Sequence, residues 1–363
     1  MIPFLASFVT ALVVALLIVR FASQHERPWS DHDLSGPQKF HVRPVPRIGG
    51  VAILASIVVG SILAAWSELD DIRALWALIA AALPAFAFGL AEDLTKSVSP
   101  RRRLFFTAVS ASLGVWWLDA ILVRTAIPGV DQLIVWMPLA AALTIFVVTG
   151  VANSINIIDG FNGLASMCVL MMVLALAYVA FKVGDTVVLN ASLIVAGAVL
   201  GFFVWNFPAG LIFLGDGGAY LLGFVLAELC VVLLHRNPSV SPIFTLLLCS
   251  YPILETLFTI YRRRIVRGTA TAAPDAIHLH TLIHRRVVRW LVDASQERRQ
   301  TTRNSMTSPY LWLLCLVSVI PAISWWDNTA ALTICLFLFV ILYVLLYRSI
   351  VRFKTPKWLV MRR

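Results

Sequence analysis

The sequence predicts an all-α polytopic membrane protein of about eleven transmembrane helices, with its N-terminus periplasmic and its C-terminus cytoplasmic. Three observations carry that expectation. Of 363 residues, 60% are hydrophobic and 13% charged, whereas roughly a quarter of a soluble domain is charged. Eleven apolar runs approach the roughly 20 residues that a spanning helix needs: 2–19, 48–66, 74–91, 104–118, 132–152, 164–181, 186–205, 218–234, 243–260, 310–325 and 330–347. Basic residues are one-sided. If segments 20–47, 92–103, 153–163, 206–217, 261–309 and 348–363 face the cytoplasm, they hold all of the 29 Lys and Arg except Arg73, Arg124, Lys182 and Arg236. That bias is the positive-inside rule.

The first run has no basic residue before it and Arg20, His25 and Arg27 after it. This charge order favours a retained span over a cleaved signal peptide. The fourth and tenth runs are the shortest. No soluble domain fits between the runs and no repeat is visible, so 1–363 reads as one integral-membrane domain. Its motif-bearing core covers about 40–290. A mobile cytoplasmic loop at 291–309 and a basic cytoplasmic tail at 348–363 complete it. The net charge of +10 reads as an orientation signal and an attraction to anionic headgroups or phosphates, with no nucleic-acid partner. Cys168, Cys230, Cys249, Cys315 and Cys335 all lie in apolar runs without metal-ligand spacing, and read as small core residues.

Five polar segments fall on the predicted inner face. Pro46-Arg47-Ile48-Gly49-Gly50 opens the second run; Arg47 is a candidate phosphate contact, though arginines at a membrane edge commonly set topology. Glu92 and Asp93 end the third run, with Lys96 and Arg101 to Arg103 following. Acids that hold a metal or orient a phosphate, beside bases that neutralise one, suit phosphoryl transfer. Asn153, Asn156 and Asp159 are spaced three apart, sharing one face of a helical end, and Asn162 follows. Gly215-Asp216-Gly217-Gly218 places a lone carboxylate among glycines, where backbone N–H groups and a hard cation can approach a phosphate together. In the long fifth segment His278, His280 and His284 stand beside Arg285 and Arg286. No Glu follows His280 to complete a zinc helix, and diphosphate binding suits the cluster better. Glu228 and Glu255 lie inside runs and need a partner or a proton.

Taken in order and spacing, these motifs resemble the polyprenyl-phosphate N-acetylhexosamine-1-phosphate transferases, nearest the branch that initiates O-antigen synthesis. Pro46 to Gly50, E-D-L-T-K at 92–96, N-S-I-N-I-I-D-G-F-N-G-L at 153–164, G-D-G-G at 215–218 and P-D-A-I-H-L-H-T-L at 274–282 each look like a family motif. Three positions depart from it: Glu92 for Asp, Asn162 for Asp, and Thr281 for His.

The resemblance implies an enzyme of the bacterial inner membrane. It would transfer an N-acetylhexosamine-1-phosphate from a UDP-sugar to undecaprenyl phosphate, release UMP, and initiate O-antigen or cell-envelope polysaccharide synthesis. It implies Mg²⁺ as cofactor, with Asp216 and Asn156 as ligands. Asp93, with Glu92, would orient or deprotonate the acceptor phosphate. Asp159 and Asn162 would contact the uridine side, where Phe213 could stack on uracil. His278, His280 and Arg285 would hold the diphosphate, and Arg47, Lys96 and Asn153 complete the substrate-binding set. Implied partners are undecaprenyl phosphate, the UDP-N-acetyl-sugar and the bilayer, with a homodimer left open. The principal alternative is a multispan secondary transporter, which would place its polar residues near the bilayer midplane. A CDP-alcohol-type phosphotransferase would need a D-G-x-x-A-R motif that Asp159-Gly160 does not begin.

Overall fold

The computed structural model describes residues 1–24, 45–66, 72–266, 277–288 and 297–352. Each apolar run becomes helical. In chain order the helices are α1 (Ile2–Gln24), α2 (Gly49–Trp66), α3 (Ile72–Thr95), α4 (Pro100–Trp117), the short α5 (Val130–Leu133), α6 (Met137–Ile158), α7 (Leu164–Val183), α8 (Thr186–Asn206), α9 (Gly215–Arg236), α10 (Pro242–Leu248), α11 (Ser250–Tyr261), α12 (Leu279–Arg286), α13 (Glu297–Ser324) and α14 (Thr329–Val351), with a π-helical turn at Arg262–Val266 after α11. Among the described residues nine helices are long and apolar enough to cross a membrane. The chain is a multi-pass, all-helical membrane protein.

Two of the eleven expected spans differ from simple rods. The fourth forms α4, whose 18 residues open on Arg101 to Arg103 and so carry more charge than an apolar span. The ninth breaks at Cys249 into α10 and α11, which meet at 71°. Pro252 sits in the first turn of α11. It has no N–H for Leu248, and its ring crowds the carbonyl there, so a continuous helix cannot pass. With the bent pair taken as one span, the count is ten.

The expected loop 291–309 also differs. Residues 291–296 lie outside the described residues, but from Glu297 onward the chain is the first part of α13. Asn304, Ser305, Thr307 and Ser308 are buried. Their polar groups meet a polar turn instead of water: Asn304 and Ser308 bond the backbone of Asn162. Of the basic tail, 353–363 lie outside the described residues, as do His25 and Arg27.

The centre of the bundle is α9, buried along its whole apolar stretch and packed against α2, α3, α4, α6 and α7. Lipid tails are as apolar as leucine, so helices in a membrane associate through close packing at small residues. That is visible on three sides of α9. A Cβ at Gly50 would lie 2.6 Å from the Gly218 Cα, one at Gly89 2.7 Å from the Gly217 Cα, and one at Gly223 2.6 Å from the Ala152 Cα.

The bundle has two polar ends. At one, the segments beginning at Val45, Glu92, Asn153, Asn206, Arg262 and Arg348 interlock. At the other, Arg236 pairs with Asp185 at 3.0 Å, Arg124 bonds the Asn237 carbonyl at 2.9 Å, and the Ser241 N–H donates to the Trp326 carbonyl at 3.0 Å.

Candidate active site

The first of these ends is built on the start of α9. The residue before that helix is Leu214, which has no side chain able to cap it. Asp93 supplies the cap from α3. One carboxylate oxygen accepts the Asp216 N–H at 3.0 Å and the other the Gly217 N–H at 2.9 Å. Two otherwise orphaned donors are thereby satisfied, and the negative charge faces the positive end of the helix dipole. The fit requires Gly215, which has φ +74°, and whose Cβ would lie 2.6 Å from the Asp93 carboxylate. Residues 46–50 lie alongside: the Phe213 N–H donates to the Pro46 carbonyl at 2.9 Å and the Gly49 N–H to the Phe213 carbonyl at 3.0 Å.

Held this way, Asp216 is approached from three directions. Arg103 of α4 forms an ion pair with one oxygen. The Asn156 amide of α6 donates to the other at 3.0 Å. Arg47 stands 4.0 Å from Asp216 and 3.9 Å from Asp93. The Asn156 side-chain oxygen, Oδ1, keeps no hydrogen-bond partner among the described residues. Asn153 accepts from the Tyr220 hydroxyl at 3.2 Å, and the Arg103 guanidinium lies over that ring. Asp159, at the end of α6, is half-buried and has no side-chain hydrogen bond or ion pair among the described residues. Burial pushes its carboxyl up from the usual carboxylate range to about 7; Arg47 opposes the rise, while Asp216 and Asp93 add to it.

The adjacent acids diverge, as neighbours about 100° apart on a helix must. Asp93 turns inward and is 1% exposed. Glu92 turns toward the α3–α4 connection and accepts the Val98 N–H at 2.7 Å. Lys96 is exposed in that connection.

The histidines form a second, adjoining group. His278 Nδ1 lies 3.1 Å from Glu255 Oε1, which also accepts the Leu279 N–H at 2.9 Å; the other Glu255 oxygen accepts from the Tyr343 hydroxyl at 2.8 Å. His278 and His280 stack with centroids 5.0 Å apart. A Cβ at Gly160 would sit 3.0 Å from His280 Nε2, so this group packs on the turn that carries Asp159. His284 bonds the Thr307 hydroxyl at 3.0 Å. Burial first, then Arg303 and Arg285, push its pKa down to about 3. Arg285 is exposed and Phe213 half-buried.

Asn162 follows Asp159 in the turn after α6. It is 3% exposed, and its amide nitrogen bonds the Pro208 carbonyl at 3.3 Å and the Ser305 hydroxyl at 3.2 Å. It ties the 206–210 turn to α13.

The sequence marks Arg101 to Arg103 as a basic group and does not single out Arg103. Its signal is the buried stripe of α4: Thr107, Ser110 and Gly114 follow it at helical spacing. Tyr220 and Tyr343 carried no signal, because each looks like a core aromatic.

Among the described residues no three His, Cys, Asp or Glu are grouped to hold a metal by themselves. The donor set at Asp216 nevertheless fits Mg²⁺, which keeps several waters and takes one or two protein oxygens together with substrate phosphates. The fit rests on one carboxylate and one amide oxygen, both hard donors.

The sequence profile of glycosyl transferase family 4 matches residues 75–234, from α3 through α9. Over those residues the chain is similar to that family. It is 28% identical over 284 residues to a probable undecaprenyl-phosphate N-acetylglucosaminyl 1-phosphate transferase of Bacillus subtilis, covering 77% of each chain. It is 27% identical to the undecaprenyl-phosphate alpha-N-acetylglucosaminyl 1-phosphate transferase of Thermotoga maritima, over 71% of this chain and 74% of that one. It is also 27% identical to the phospho-N-acetylmuramoyl-pentapeptide-transferase of Gluconacetobacter diazotrophicus, over 64% and 72%. The family match holds Asp93, Asn156, Asp159 and Asp216 but ends before the histidine group.

Proposed function

We propose that this protein transfers an N-acetylhexosamine-1-phosphate from a UDP-sugar to undecaprenyl phosphate, forming undecaprenyl-diphosphate-sugar and UMP. The reaction takes place on the cytoplasmic face of the bacterial inner membrane, at the start of O-antigen or cell-envelope polysaccharide synthesis. The N-terminus lies in the periplasm and the C-terminus in the cytoplasm. One observation carries the reading: Asp93, Asp159 and Asp216 converge with Arg47 and Arg103 at one end of a bundle otherwise poor in charge.

An acceptor phosphate is already a nucleophile, so the protein has mainly to position it and balance charge. Arg47 and Arg103 take the phosphate oxygens of donor and acceptor. Asp216 and Asn156 would hold Mg²⁺, which would supply charge neutralisation for the diphosphate. Asp93 fixes Asp216 by holding the N-terminus of α9 and acts as a positioning residue. Asp159, with no side-chain hydrogen bond or ion pair among the described residues and a pKa raised to about 7, orients the acceptor phosphate and takes its proton; a base works best with a pKa near the operating pH. His280, on the Asp159 turn, reaches the diphosphate, and His278 is oriented by Glu255. Phe213, Asn153, Lys96 and Arg285 line the donor side. The polar groups gather at one end of the bundle, where a transporter would place them at mid-membrane.

The test is UMP release by the purified protein with undecaprenyl phosphate, Mg²⁺ and a panel of UDP-N-acetyl-sugars. Turnover with one or more of them is expected; no UMP from any donor would overturn the reading.

A further inference from the structure

The last helix, α14, mostly faces lipid: Ile334, Phe337, Leu338, Ile341 and Leu345 are all exposed. Toward its inner end the buried residues follow one helical stripe, Phe339, Tyr343, Tyr347 and Ile350. Two of these four are tyrosines. Tyrosines that serve a membrane interface put their rings at headgroup level, whereas these two are 1% and 6% exposed. A buried hydroxyl needs a partner, and both find theirs in the histidine group.

The Tyr343 hydroxyl donates to Glu255 Oε2 at 2.8 Å. The other oxygen, Oε1, accepts the Leu279 N–H at 2.9 Å and faces His278 Nδ1 at 3.1 Å. One turn further along α14, the Tyr347 hydroxyl donates to the Ile277 carbonyl at 3.1 Å, and Arg262 donates to the same carbonyl at 2.6 Å. The residues on both sides of His278 are therefore tied to α14, directly or through Glu255. Arg286, at the end of α12, donates to the Ile350 carbonyl at 2.7 Å and ties that end as well. Glu255 is buried, so solvent does not replace a lost donor. A proton on Oε2 would compete with the Tyr343 hydroxyl. A carboxylate filled in this way accepts from Nδ1–H and leaves Nε2 as the imidazole nitrogen available to a substrate.

We infer that Tyr343 is a positioning residue for the active site: its hydroxyl keeps Glu255 an acceptor, Glu255 holds the Nδ1–H form of His278, and Nε2 is left for the donor diphosphate. The inference rests on the function proposed for this site. It gives a role on the donor side to α14, which lies beyond the residues that the family profile matches. Tyr251 is a matched control. It stands one turn before Glu255 on α11, is fully buried, and its hydroxyl has no hydrogen-bond partner among the described residues.

The full-length protein in detergent, with ¹⁵N-labelled histidine, tests the chain by NMR before any turnover. The Nδ1 proton of His278, identified by its absence in His278→Asn, should shift in Tyr343→Phe and stay in place in Tyr251→Phe. In the UMP assay, Tyr343→Phe should raise KM for the UDP-sugar about fivefold, the size of one lost hydrogen bond, and leave KM for undecaprenyl phosphate unchanged. A His278 signal that does not move in Tyr343→Phe would overturn the inference, as would an unchanged KM for the UDP-sugar. So would an equal rise of both KM values, which would mean a loosened bundle, or an equal effect of Tyr251→Phe. If wild type releases no UMP from any donor, the proposed function fails, and the His278 signal still decides whether Tyr343 holds that side chain.

Discussion

Each end of the bundle holds a buried aspartate with an arginine, and the two are built on opposite principles. Asp185 is closed. It caps α8 by accepting the Val188 N–H at 3.1 Å, and its other oxygen accepts from Arg236 at 3.0 Å and Asn237 at 2.9 Å. Both of its oxygens are engaged, one by the first turn of α8 and the other by the end of α9. At the other end the capping duty falls to Asp93, which leaves Asp216 at the mouth with two arginines and an amide, and Asp159 near it with no side-chain hydrogen bond or ion pair among the described residues. The Asp185 arrangement is the ordinary way to keep a buried charge. The Asp216 end gathers like charges from three helices, which stability alone would not favour. A site is recognised here by what its capping and pairing leave over, not by the presence of buried acids.

The comparison breaks most sharply under charge removal. Asp216→Asn should cost about 10³-fold or more in rate while the protein still inserts and purifies, because a hard ligand is lost. Asp185→Asn should lower the unfolding midpoint and leave the rate per folded molecule near wild type. Near-wild-type turnover by Asp216→Asn would make Asp216 a second Asp185.

The adjacent acids sharpen it further. Asp93→Glu pushes a carboxylate into a space bounded by two N–H groups and Gly215, and should lose about 10²-fold. Glu92→Asp gives up only the Val98 bond and should keep most activity. Equal losses would mean that the two have been assigned the wrong way round.

Asp159 should set the acid limb of the rate profile. With its pKa raised to about 7, it is protonated below that pH and ionised above it. Turnover should rise with pH through about 7, and Asp159→Asn should be slow and flat there. A limb unchanged in this variant would assign the proton to another group.

The smallest effect is at His284. An unfolded histidine takes a proton below about pH 6.5, whereas in the fold it stays neutral down to about 3. Between these values the unfolded chain holds more protons, so stability rises with pH and is lost on acidification. The unfolding midpoint of His284→Asn should fall less between about pH 7 and pH 5 than that of wild type; parallel curves would count against the assignment.

Helix positions were legible because membrane helices announce themselves through hydropathy. The site motifs were legible through spacing: Asn156 and Asp159 do share the face toward Asp216. The break at Cys249 was not, because Pro252 is a single residue in an apolar run. Asn162 ties the 206–210 turn to α13 through bonds that its place in a sequence motif does not announce. Asn304, Ser305 and Ser308 were read as loop for the converse reason. Polar side chains look solvated until a polar turn is found for them to pack on, and such a partner is distant in sequence.

The most direct test follows the phosphorus. Purified protein would be given undecaprenyl phosphate, Mg²⁺ and UDP-N-acetylglucosamine labelled in the β-phosphate. The account predicts that the label moves into the lipid fraction in step with UMP, and that Asp216→Asn stops both. Release of UMP with no label in the lipid, or label retained in the nucleotide as UDP, would contradict it.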